Sequence, residues 1–301
     1  MKETTRTLII LHLAVFLAGW TGIFGRLISL GGLPLVWYRI MVSVATLVLV
    51  LAFTKRLHKV RCPALLRMAG CGILLAMHWT CFYASIQASN VSIGVACIAT
   101  TCFFTAIFNP IINRLQRRGA GGAIDWTEIM ISFISIAGVL LIFSLDVRYR
   151  VGIAWGLLSA AIYSVFAILN INVGEKTGQD TPTMLLWELV GGGLFLTLCI
   201  PLYTRLFPAA SITPAGNDLL WLLLLGSVFT VIPFLFQLQA LRKLNAFTVN
   251  LTYNLEPVYS IAIAALLFGE HREVGWSFWT GLALIIFSVL LQTWRIRPRS
   301  A

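Results

Sequence analysis

Apolar residues fall in runs of about twenty along the whole chain, separated by short polar connections. The runs lie at roughly 7–26, 32–53, 65–86, 91–113, 126–145, 151–170, 182–205, 217–240, 247–268 and 275–295. A helix of that length crosses a hydrocarbon layer of about 30 Å at 1.5 Å per residue. The pattern therefore predicts an all-α membrane protein with ten transmembrane helices. No connection is long enough to fold alone, and no linker or low-complexity stretch marks a soluble domain. The first run, from Leu8, lacks an Ala-x-Ala cleavage pattern and reads as a retained first helix, not a signal peptide.

Composition agrees: 59% of residues are hydrophobic and 11% charged, against about 25% charged in soluble domains. The net charge of +11 has two readings, a nucleic-acid surface or cytoplasmic loops. Its distribution decides between them. With ten spans and both termini in the cytoplasm, sixteen of the 22 Lys and Arg residues face inward. Five face outward (Arg26, Arg148, Arg150, Arg205, Arg272), and Arg39 stays within the second span. The lipid bilayer accounts for the basic pI without nucleic acid. Five of the six cysteines (Cys71, Cys81, Cys97, Cys102, Cys199) lie inside apolar runs at scattered spacings, so neither a metal nor any other cofactor is expected.

The chain also matches itself. A shift of 156 places Gly70 on Gly226, Ala84 on Ala240 and Ala106 on Ala262. A shift of 150 places Trp126 on Trp276, and a shift of 138 places the ladder Ala14, Ala18, Gly22 on Gly152, Gly156, Ala160. In order, spans one to five pair with six to ten. This predicts two five-helix repeats, 1–147 and 148–301. Five is odd, so the second repeat runs inverted through the membrane, a plan common in secondary transporters with a site near the midplane.

The stretch "ALRKLNAFTVNLTYNLEPVYSIAIAALLFGE" at 240–270, with "AGWTGIFGR" at 18–26 and "WYR" at 37–39, resembles the EamA-type family of the drug/metabolite transporter superfamily. The likeness is most specific in "NLEP" and the later "GE" at Gly269–Glu270. It implies a ten-helix inverted-repeat carrier of organic metabolites in a bacterial inner membrane, often an exporter of amino acids or related compounds. The first half departs from the pattern, with Thr100–Thr101 in the place of "EP" and no "GE" after the fourth span.

A charge at the bilayer centre costs roughly 2.5–3.5 kcal/mol on insertion scales, so each one asks for a reason. Glu256 lies near the middle of the ninth expected span. A continuous helix there would align it with Thr252, Tyr253, Tyr259 and Ser260, set Asn250 and Asn254 on the other side, and kink at Pro257. Substrate or proton handling and a plain proline kink are both open readings. Arg39 and Glu188 occupy matching repeat positions in spans two and seven. Arg39 suits a carboxylate, since its fork donates parallel hydrogen bonds, but it could also pair structurally or snorkel. His78 is the histidine near a bilayer centre, a candidate proton group or an ordinary buried ring. Trp20, Trp37, Tyr38, Trp79, Tyr83, Tyr163 and Trp187 could line a pocket or sit in an interfacial belt, and Ser159, Tyr163 and Asn170 share one face of span six. Glu270 and Glu273 read as helix-end structure.

The expected function is secondary transport of a small-molecule substrate by alternating access. Proton coupling through Glu256 or His78 is one option, and oligomeric state is left open. A Walker A pattern is absent, which removes ATP as the direct energy source. Two alternatives stand beside it, an intramembrane lipid- or glycan-modifying enzyme and a passive channel. The lack of HExxH and GxSxG weighs against the enzyme.

Overall fold

The computed structural model describes residues 3–115, 130, 133–134, 137–138, 141, 147–241, 252–253, 255–272 and 275–296. These are helical or in short connections. The helices are α1 (Glu3–Gly19), α2 (Thr21–Leu27), α3 (Gly32–Phe53), α4 (Cys62–Ala88), α5 (Val91–Ile98) and α6 (Thr101–Leu115). They continue with α7 (Arg150–Thr177), α8 (Thr181–Leu206), α9 (Asp218–Gly226), α10 (Ile232–Leu241), α11 (Glu256–Phe268) and α12 (Trp276–Ile296). Seven stretches are long and apolar enough to cross a membrane: Thr5–Leu27, Gly32–Phe53, Cys62–Ala88, Val91–Leu115, Arg150–Thr177, Thr181–Leu206 and Asp218–Gln237. Two shorter apolar helices, Glu256–Phe268 and Trp276–Ser288, follow. Of the fifth expected span only Met130, Phe133, Ile134, Ala137, Gly138 and Leu141 are described, all helical.

Local chemistry sets the ends. Pro63 and Pro182 occupy first turns of α4 and α8, where a missing N–H costs nothing. Asn90 caps α5 by accepting from Ile93 N at 2.9 Å. Gly178 (φ +61°) and Gly269 (φ +69°) end α7 and α11 in the left-handed conformation that favours glycine. The outward faces stay apolar: Leu198 is 81% exposed and Leu266 86%, which water would not favour but lipid does.

Two spans are broken, not continuous. The first breaks at Trp20, between α1 and α2, and the fourth at Ala99–Thr100, between α5 and α6. The eighth carries a π-helical turn, Ser227–Val231, between α9 and α10. The ninth corrects the expectation from Pro257. Instead of kinking mid-helix, the chain turns at Leu255 and starts α11 at Glu256, with Pro257 in its first turn. Leu255 N bonds Thr252 O and Tyr259 N bonds Leu255 O, each at 3.0 Å. Glu256 therefore does not share a continuous helical stripe with Thr252 and Tyr253. Asn250 and Asn254 lie outside the described residues.

Packing gathers α4, α5, α6 and α7 into one group, and sets α1 against α10, α11 and α2 in another. Helix α3 lies against α8, α4 and α9, while α5 meets α11 and α2. Close approach rests on small residues. A Cβ on Gly72 of α4 would sit 1.7 Å from the Glu188 carbonyl oxygen of α8.

Candidate functional site

Arg39 projects from α3 into the protein and is 4% exposed, which rules out snorkelling. Its Nε donates to Thr230 Oγ1 and its Nη1 to Tyr83 Oη, both at 3.0 Å. The guanidinium carbon stands 3.9 Å from the centroid of the Trp79 ring, a cation–π contact. Tyr83 is fully buried and passes its own proton on, donating to Thr21 O at 3.2 Å beside the break between α1 and α2. Thr230 donates to Leu225 O at 2.6 Å across the π-helical turn. Thus α4 and the π turn supply the groups that hold Arg39, and the break after α1 supplies the acceptor that anchors Tyr83.

Glu256, at the start of α11, is partly buried and makes no hydrogen bond or ion pair among the described residues. It feels the charge of Arg39, and it acts electrostatically on Tyr163 and Tyr253. No ion pair joins the carboxylate to the Arg39 cation among the described residues. Tyr253 reaches toward Pro233 O at 3.5 Å, a weak contact, so its hydroxyl faces α10. Trp20 and Phe24 pack at a tilt against Phe229 of the π turn, with centroids 5.9 and 4.9 Å from its ring.

The other expected residues divide. His78 is a strap between α4 and α7: its Nδ1 lies 3.0 Å from Ser159 O and 2.8 Å from Ser159 Oγ, while Ser159 Oγ donates to His78 O at 2.8 Å. Tyr163 packs against the His78 ring, with centroids 4.7 Å apart. Glu188 is not brought to Arg39. It is buried on α8 and accepts from Asn170 Nδ2 of α7. Trp37 donates to Thr197 Oγ1 at 2.8 Å. Trp187 lines a cleft of about 430 Å³ with His58 and Lys59, away from the centre. A second cleft of about 480 Å³ is lined by Arg26, Ser29, Gln87 and Asn90. Neither cleft touches Arg39 or Glu256, so cleft size and charge arrangement point to different places. A buried guanidinium and a partly buried carboxylate that form no ion pair with each other among the described residues are the rarer feature in a membrane span, and we take them as the candidate site.

Glu270 is structural, as the sequence suggests. Its fully buried carboxylate accepts from Arg26 Nη1 (2.9 Å), Val91 N (3.0 Å), Ser92 N (2.9 Å) and Ser92 Oγ (2.6 Å). It thereby caps α5 from another helix's end. Glu273 lies outside the described residues. Thr230 is the residue that sequence reasoning missed: its one signal is a lone threonine in the apolar run "LLLLGSVFTVIPFLF".

The long apolar helices are those of a multi-pass membrane protein. Residues 150–294 match the model of the EamA-like transporter family. A solved structure, described as "Crystal structure of protein", shares the fold with a TM-score of 0.63 at 14% identity, over 98% of this chain and 99% of that one. No curated protein matches the chain.

Proposed function

We propose that the protein is a secondary transporter that exports amino acids or related small organic metabolites across the inner (plasma) membrane by alternating access, with both termini cytoplasmic. The observation that carries this reading is the separated pair, Arg39 and Glu256. A structural ion pair would close to contact distance. Two opposite charges that form no ion pair among apolar helices suit a solute bearing both a carboxylate and an ammonium group.

The packing supports two inverted halves, 1–147 and 148–301. Exchange span one with six, two with seven, three with eight and four with nine. The contact of α4 with α7 then becomes that of α10 with α1, and α4 with α8 becomes α9 with α3. The contact of α5 with α7 becomes α11 with α1, while α3–α8 and α5–α11 map onto themselves. The shift of 156 also aligns the break at Ala99–Thr100 with the turn at Leu255 and the start of α11. The family match at 150–294 falls within the proposed second repeat. Broken helices around a midplane site are the usual build of such carriers.

The test is counterflow in proteoliposomes with a labelled panel of amino acids. Wild type is expected to exchange at least one of them saturably, and Glu256→Gln to lose most of that exchange. Unsaturable flux, or turnover of a lipid instead, would replace the carrier reading.

A further inference from the structure

Arg39 is held in an unusual way. Its two occupied nitrogens bond to groups on α4 (Tyr83) and on the π turn after α9 (Thr230), which lie in spans three and eight of the proposed repeats. The third nitrogen, Nη2, has no acceptor among the described residues. The π turn is itself pinned to α3. Ser43 Oγ, one turn after Arg39, donates to Gly226 O at 2.8 Å, and a Cβ on Gly226 would sit 3.0 Å from Arg39 O. So the extra residue that the π turn inserts places Thr230 where Nε requires an acceptor. Isolated π turns occur frequently at functional sites.

We propose that Thr230 and Tyr83 are positioning residues that fix the Arg39 guanidinium so that Nη2 is presented as the donor for a ligand oxyanion. This rests on the transporter reading and adds to it which residues set the preference for a carboxylate. Thr230 contributes its lone pair to Nε while spending its own proton on Leu225 O, so it cannot compete for the ligand as a donor. Tyr83 likewise spends its proton on Thr21 O and faces Arg39 only as an acceptor. With Trp79 covering one guanidinium face, the nitrogen left to bind an anion is Nη2.

The experiment compares thermal stabilisation of purified protein by a panel of L-amino acids, each paired with its own amide, which lacks the carboxylate charge. At least one amino acid is expected to bind wild type about tenfold more tightly than its amide. Thr230→Val, which keeps the shape and removes the hydroxyl, should collapse that ratio toward one by weakening acid binding far more than amide binding. Thr230→Ser should restore the ratio, and Tyr83→Phe should lower it. A merely structural role would weaken acid and amide alike. Unchanged preference in Thr230→Val and Tyr83→Phe overturns the proposal, as does a wild type that prefers no acid over its amide. Acid preference without any exchange in proteoliposomes would instead overturn the transporter reading and leave the oxyanion site standing.

Discussion

At the residue scale, the proposed site is two charges that form no ion pair among the described residues. Arg39 is legible in the sequence because a guanidinium inside an apolar run has to find partners, and Glu256 is legible for the same reason. The identity of those partners is not. Thr230 looks like any threonine in a membrane helix until the π turn brings it to Nε. Glu188 shows the opposite failure, since its register match with Arg39 suggests a pair while the fold gives it Asn170. Arg39→Lys should lower the exchange rate by about tenfold to a hundredfold, because an ammonium cannot serve Thr230, Tyr83 and an oxyanion in one plane. Exchange kinetics with protein amount held constant would measure it. Retained exchange in the lysine variant would show that charge alone suffices.

At the element scale, the run lengths locate nearly every described span, because the bilayer imposes that length on any helix crossing it. Breaks within spans are harder, since they depend on what lies beside the backbone. Pro257 illustrates this: proline interrupts a helix interior but is welcome in a first turn, and the sequence does not say which applies. Helix α5 depends on a distant residue in the same way. Removing its trans cap with Glu270→Ala strands the donors of Val91 and Ser92 and removes the Arg26 ion pair. A stability loss of about 2–4 kcal/mol is expected, mainly from the buried donors, since the Arg26 side chain is 37% exposed and screened. It would appear as a lower unfolding temperature in detergent. Gly72→Ala should fare similarly, because a methyl 1.7 Å from the Glu188 carbonyl forces α4 and α8 apart.

At the scale of the whole molecule, two packing groups meet along α5, α11 and α2, and their ends are tied by polar contacts. At one end the connection after α3 meets that after α7, where His58 Nε2 lies 2.9 Å from Gln179 Oε1 and Nδ1 lies 2.9 Å from Arg56 O. Two carbonyl acceptors call for the doubly protonated ring. The bond to Gln179, then that to Arg56 O and the nearby Asp180 charge, raise the His58 pKa above its ordinary value. A raised pKa means that the tie is fully present below the ordinary imidazole range and is lost as pH rises through the raised value. His58→Ala should therefore flatten the pH dependence of exchange near neutrality and leave acidic and alkaline rates alike, as a pH series would show.

Alternating access is the central claim, and access itself tests it most directly. A single cysteine at Thr21, whose side chain lies outside the Arg39 network, would be placed in a protein with its native cysteines replaced. A membrane-impermeant thiol reagent would then be applied from either face of sealed vesicles. The account predicts labelling from both faces, slowed from each by a solute that the protein exchanges. Labelling from one face alone, or labelling indifferent to that solute, would contradict it.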